Sequence, residues 1–322
     1  MIARPDVDTL LAGPLGGWLD EQTLVREKAR ELSVQRWWKA AMWGAPLLLF
    51  AWIAIPGGGQ FKLWATLAAA GAAYAWGLAP RTKAIKAVKA GINEAIARAL
   101  DLQYSAEVEP GQPFELARRY ELLPRYDRSR FEDHWHGAIG NRGFALHEAH
   151  LKERRGSGKN QHYVTVFRGA IMAIDFTRRF QGTTLVERAG RHKALLGLGG
   201  RKDTVSFDGH RLDVVDMVHP GFDDAFCVYS DDQVEARYLV HPEYVERLMA
   251  VQQAFAGENI RTLFTGGELL MVVESGNMFE SGSLDAADDR SRIVRTIEQF
   301  ASLADLAQSL NEPERGFSQA AL

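Results

Sequence analysis

The sequence has a single cysteine, Cys227, among 322 residues. No disulfide can form within the chain, which suits a reducing cytoplasm. Cys227 sits inside the apolar run Ala225-Phe226-Cys227-Val228-Tyr229, where a thiol acts as a small core residue rather than a nucleophile. Charge of one sign is also lacking. The formal net charge is −3, so nucleic acid is not expected as a partner. No internal repeat, Gly-x-Ser-x-Gly elbow or EF-hand spacing occurs. The N-terminus does not read as a cleavable signal, because the first apolar run starts late and no small-residue cleavage site follows it. The most informative absence is local: no charged residue lies between Ala40 and Gln60, and only Lys62 between there and Pro80.

That charge-poor region, residues 37–80, contains two apolar segments, 40–55 and 61–79, around the turn Pro56-Gly57-Gly58-Gly59-Gln60. A span needs about 20 apolar residues at 1.5 Å each, and a charge at the bilayer centre is costly. Seven of the eight tryptophans fall at or before Trp76, as expected of interfacial belts. The region therefore predicts a transmembrane helical hairpin, with the alanine-rich second segment the weaker span. A pair of buried globular helices is the competing reading. Trp37, Trp38, Lys39, Arg81 and Lys83 are the expected interface anchors. Lysine and arginine flank the hairpin on both sides, while its turn offers only Lys62. The positive-inside rule then places both termini in the cytoplasm, in a bacterial inner membrane.

The expected organisation is a cytoplasmic segment over 1–36 with an amphipathic helix, the hairpin over 37–80, a cytoplasmic α+β domain over 81–310 and a disordered tail over 311–322. Residues 1–17 read as a loop and 18–38 as a charged helix. Beyond Pro80, Ile85, Val88, Ile92, Ile96 and Leu100 form one apolar stripe of a second helix over 81–102. Residues 104–113 read as a break, and 114–138 as a helix interrupted at Pro124. Alternation then predicts strands at 143–153, 162–168 (continued to 176 through a bulge at Gly169) and 182–187. Further strands are expected at 204–207, 211–218, 225–229, 261–265 and 269–274, the last two joined by Gly266-Gly267. Ser230 and Pro242 start helices, and 285–310 is a long closing helix. Strands and helices come in blocks, so the fold class is α+β with a mainly antiparallel sheet, and a meander is the simplest topology.

The stretch Phe226-Cys227-Val228-Tyr229-Ser230-Asp231-Asp232-Gln233-Val234-Glu235-Ala236-Arg237-Tyr238-Leu239-Val240-His241-Pro242 resembles the signature of a bacterial family known as domain of unknown function 3137. Phe167-Arg168-Gly169 with Asp175-Phe176, ahead of a Gly-Thr-Thr strand, resembles its upstream half, and the two-span hairpin fits the same family. The resemblance implies a membrane-anchored bacterial protein with no assigned activity and no catalytic residues to carry over. It also implies an association with LemA-type membrane proteins, which is a partner rather than a chemistry.

Candidate chemistry is thin. His134-Trp135-His136 and His147-Glu148-Ala149-His150 suggest a metal, but a strand aims His147 and His150 at opposite faces, and a helix separates His134 from His136 by about 200°. No metal and no cofactor are expected. The stretch Gly197-Leu198-Gly199-Gly200-Arg201-Lys202 lacks the strand–loop–helix context of a phosphate cradle. Arg188, Arg191, Lys193, Arg201 and Lys202 around an apolar tip suit anionic lipid or an acidic partner, against the plainer reading of a flexible hairpin loop. The acidic group Asp223, Asp224, Asp231, Asp232 and Glu235 suits a cation or helix capping. Two functions remain. One is a non-enzymatic anchored protein whose domain binds protein or the membrane surface. The other is a membrane-tethered, hydrolase-like enzyme acting on lipid or peptide. A deep pocket with convergent titratable groups would favour the enzyme, and a flat face or exposed apolar groove the anchored adaptor.

Overall fold

Asp6 opens the first helix by accepting the Thr9 N–H at 2.9 Å, so α1 (Val7–Ala12) forms where a loop was expected. Pro14 in the first turn then starts α2 (Pro14–Lys39), and a π turn (Ala40–Gly44) leads into α3 (Ala45–Ala54). The structure, a computed structural model, describes residues 5–54, 58–139, 142–176, 179–189, 193–195, 198–207, 209–217, 226–276 and 278–310. The proposed tail lies outside these residues.

α4 (Gly59–Ala99) is 41 residues long and passes through Pro80 without ending. The separate helix expected after Pro80 is its second half. Proline has no N–H, so the Trp76 carbonyl one turn earlier loses its helical donor. Arg36 Nη1 donates to that carbonyl at 3.0 Å and so removes part of the penalty.

Among the described residues no helix is long and apolar enough to cross a membrane. α3 by itself is 10 residues, about 15 Å, against a hydrocarbon core of about 30 Å, and the π turn joins it without a gap to the charged α2. The apolar half of α4 is diluted by alanine, glycine and Lys62. The two arms touch, through Trp52, Lys62 and Thr66, but the transmembrane hairpin expected with spans at 40–55 and 61–79 is not supported as such, and residues 55–57 of its turn lie outside the described residues.

The chain divides into two compact units. One is Asp6–Asn93 with Glu280–Ile293, and the other holds Glu94–Phe279 and the stretch from Val294. In the first unit Arg26 Nη2 donates to both carboxylate oxygens of Asp289, at 3.0 and 2.8 Å, in a buried ion pair. Lys89 pairs with Glu280 at 2.8 Å, and Ser281 donates to Asn93 Oδ1 at 2.7 Å.

The second unit is built on a ten-stranded sheet in which every pairing is antiparallel. Its elements in chain order are β1 (Leu102–Glu107), α5 (Gln112–Arg119), β2 (Arg128–Ile139), β3 (Arg142–Arg155), β4 (His162–Asp175), β5 (Thr184–Arg188), β6 (Lys193–Leu195), β7 (Leu198–Arg201), β8 (Thr204–Phe207), β9 (His210–Val215), β10 (Phe226–Ser230), α6 (Gln233–Leu239), α7 (Pro242–Ala254), β11 (Glu258–Thr265), β12 (Glu268–Glu274) and α8 (Asp289–Ser309). Strand order is β1-β2-β3-β4-β12-β11-β5-β10-β9-β8, with β6–β7 a separate hairpin. The expected meander holds for β1 to β4. The Gly266-Gly267 hairpin, last in sequence, inserts between β4 and β5, which corrects a purely sequential order.

Two other expectations change. Residues 104–113 contain most of β1, and the helix expected over 114–138 ends at Arg119, giving way to β2. Glu121 is left-handed (φ 52°) and Pro124 follows, which stops the helix. A bulge between Glu132 and Trp135, with Asp133 at φ 55°, breaks the alternation that would have revealed β2. The bulge expected at Gly169 is absent: Gly169 pairs in register with Ala149 and Glu274, and the irregularity lies at Leu151/Lys152.

Both faces of the sheet are covered. Ala149, Leu151, Phe167, Ile171, Leu270 and Val272 form one layer with Phe114 and Ala117 of α5. On the other face Trp135 packs against Phe279 (5.3 Å) and Phe300 of α8 (4.6 Å), and Tyr244 of α7 shares a 2.6 Å hydrogen bond with Thr262.

Candidate membrane-contacting surface

The apolar residues that give the hairpin its hydropathy point outward. Trp38, Trp43, Leu47, Phe50 and Ile53 on the first arm, and Phe61 and Trp64 on the second, are each at least 65% exposed. An apolar patch of this extent on a water-facing surface marks a binding or membrane surface. The two arms are held at both ends. Near the chain's entry, Ser33 Oγ donates to the Gly77 carbonyl at 2.6 Å, beside the Arg36–Trp76 bond. Near the turn, Trp52 Nε1 donates to Thr66 Oγ1 at 2.8 Å. Lys62 Nζ donates to the Trp52 carbonyl at 2.7 Å and stands 5.8 Å from the Trp52 ring centroid. The one charge within the apolar region is thus bonded inside the hairpin.

Of the expected interface anchors, Trp38, Lys39 and Lys83 are exposed. Trp37 is not a free anchor. Its indole lies over Gly77, where an added Cβ would stand 1.8 Å from Nε1, and it stacks on Tyr74 at 6.3 Å with an 8° interplanar angle. Arg81 places its guanidinium carbon 4.9 Å from the Trp37 centroid. Residues 74, 77 and 81 share one helix face, so the indole occupies the notch between Tyr74 and Arg81. Sequence reasoning missed Ser33, Arg36 and Tyr74. A proline inside an apolar-periodic run was the available signal for Arg36, since it implies a carbonyl in need of a donor.

The basic group does not form one free surface. Arg188 donates to Gln252 Oε1 at 2.6 Å and lies 4.7 Å from the Phe226 ring, so it belongs to the packing of the sheet unit. Lys202 is exposed. Arg191 lies outside the described residues, and Lys193 and Arg201 are described by backbone alone, in β6 and β7. The glycine stretch at its centre contributes a strand, not a cradle.

The acidic group is largely accounted for. Asp231 accepts the Thr183 N–H at 2.6 Å, and Glu235 accepts those of Gln181 and Gly182 at 3.2 and 2.9 Å. Asp232, not Ser230, caps α6 through the N–H groups of Val234 and Glu235. Ser230 Oγ instead donates within the turn, to the Thr183 or Asp232 carbonyl. Asp223 and Asp224 lie outside the described residues. The signature motif is thus a clamp on the turn that precedes β5.

The histidines come closer together than expected, because 134–136 is strand. The bulge at Asp133 stacks His134 on His136 at 4.7 Å. His147, 4% exposed, packs edge-on against Phe131 at 5.7 Å, and burial pushes its imidazole pKa down to about 4, with His134 adding to the effect. His134 is also lowered, first by burial and then by His136. Among the described residues no group of three or more histidine, cysteine, aspartate or glutamate side chains is arranged to hold a metal.

Fold and surface together define the class: an α+β protein with a long antiparallel sheet, carrying a separate helical hairpin with an apolar exterior. Residues 165–312 match a family described as protein of unknown function (DUF3137), in line with the resemblance carried by Phe226–Pro242. No curated protein matches the chain. Among solved structures, the crystal structure of the mycobacterial trehalose monomycolate transport factor A, TtfA, aligns over 70% of this chain and 95% of that chain. Identity is 11% and the TM-score 0.34.

Proposed function

We propose that residues 37–80 enter a lipid bilayer as a helical hairpin, and that the protein is an anchored adaptor. Its α+β unit would bind another membrane protein or the inner-leaflet surface, with both termini cytoplasmic. The observation that carries this reading is the outward-facing apolar band on both arms, from Trp38 to Ile53 and from Phe61 to Trp76. In water it would be a standing liability, while in lipid it is matched. The π turn does not interrupt the helical path from Trp37 to Ala54, so the arm reaches deeper than α3 alone. An adaptor rather than an enzyme is supported by the clamp role of Asp231, Asp232 and Glu235 and by the packing role of Arg188, which take these groups out of reactive use. A LemA-type membrane protein is the partner proposed.

A reporter enzyme active only outside the cytoplasm tests the topology. Fused after Gly58 it should be active, and after Leu310 inactive. Activity at the second site, or extraction of the intact protein from membranes by alkaline carbonate, would overturn the reading.

A further inference from the structure

Between its two polar fastenings the hairpin does not close. Ala41, Ala45 and Leu48 on the first arm face Ala70 and Ala73 on the second across a groove of about 800 Å³, with Trp43 on its rim. That volume lies within the range of small-molecule sites, about 300–1,000 Å³. Small side chains on facing helices usually bring the backbones together. Here they leave room, and no atom lies within 4 Å of a Cβ added at Gly44, which lines the groove. The lining is apolar apart from the edge contributed by Tyr74, so the groove suits a hydrocarbon chain.

One end of the groove is different. Trp37 and Tyr74 line it there, and Arg81 lies against Trp37. Arg81 Nε is buried and donates to nothing, and among the described residues Arg81 has no carboxylate partner. The residue as a whole is only half-buried, so a guanidinium fixed by stacking can meet a phosphate oxygen through its Nη groups rather than through the enclosed Nε. Lys39 and Lys83, two residues beyond Trp37 and Arg81, are exposed and add positive charge nearby. The groove runs from Trp37 to Leu48, roughly 17 Å at 1.5 Å per residue, about half the hydrocarbon core and so one leaflet deep.

We infer that this groove is a binding site for one anionic phospholipid, its acyl chain lying between the arms and its phosphate on Arg81. The inference rests on the membrane reading above and deepens it. A docked hairpin from a second copy would also fit the alanine lining, but residues 40–80 contain no aspartate or glutamate to meet Arg81. Charge complementarity therefore favours lipid.

The test is native mass spectrometry of the full-length protein, released from detergent with phosphatidylglycerol or phosphatidylcholine of matched acyl length. The wild type should hold phosphatidylglycerol about tenfold more tightly, as one charge-assisted contact implies. Arg81→Gln should remove that preference, and Ala73→Leu should weaken both lipids, while Lys62→Gln leaves the ratio unchanged. The Gly58 reporter, active in all three variants, shows that they still insert. An unchanged preference in Arg81→Gln with the reporter active overturns the lipid site alone. A dimer that excludes lipid from the wild type does the same, in favour of a second copy. A reporter inactive in the wild type overturns the membrane reading and takes the site with it.

Discussion

Arg36 and Trp76 are joined across the hairpin by a 3.0 Å hydrogen bond from Nη1 to the main-chain carbonyl, and the guanidinium carbon also stands 5.2 Å from the Trp76 ring centroid. The carbonyl is the one that Pro80 leaves without a donor. Arg36→Met should therefore lower unfolding free energy by about 1 kcal/mol. In a Pro80→Ala background, where the residue-80 N–H returns, the same change should cost little. A double-mutant cycle by denaturant unfolding measures the difference. Equal costs in the two backgrounds would refute the coupling.

The buried pair Arg26–Asp289 makes a second prediction. Arg26→Met or Asp289→Leu alone leaves a charge without its partner and should cost about 3–5 kcal/mol. The double variant should recover much of that loss. The check is the denaturation midpoint of all four forms. A double variant as unstable as the sum of the singles would show that the pair acts through something other than its charge.

Glu235 holds the N–H groups of Gln181 and Gly182. Glu235→Ala should cost about 1–3 kcal/mol by leaving them without an acceptor. Calcium should raise the melting temperature of neither form. A calcium-dependent rise lost in Glu235→Ala would instead make the cluster a cation site.

His147 predicts a pH dependence. Its folded pKa is about 4 against an ordinary 6.5. As pH falls through that window the unfolded chain takes up a proton that the folded chain refuses, so stability falls, by about 3 kcal/mol in full. His147→Leu should flatten the curve between pH 6.5 and 4. A slope equal to that of the wild type would place the titration elsewhere.

Local pattern was enough for the strands β3, β4, β11 and β12, the helix that closes the chain and the hairpin turn Gly266-Gly267, because each has an unbroken period or unmistakable turn chemistry. β2 was hidden by the bulge at Asp133, which shifts alternation in mid-strand. The end of a helix at Pro80 was a fair inference from the residue itself, and it failed because a side chain 44 positions earlier supplies the missing donor. The candidate surface was legible as an apolar, charge-poor stretch. Its groove was not, since spacing along one helix does not tell how far apart two helices stand.

The sequence by itself determined which segments are helix or strand wherever the period survives, the antiparallel character of the sheet and the charge-poor apolar stretch at 37–80. Tertiary structure decided the rest. It inserted β12 and β11 between β4 and β5, because residues 269–273 are buried on both faces and only a central position covers both. It turned the acidic signature into a clamp and committed Arg188 to Gln252. It also left Arg81 beside an open apolar groove. In each case the physical reason is the same: the partner that satisfies a carbonyl, a charge or an apolar face is fixed by proximity in space, which local periodicity does not encode.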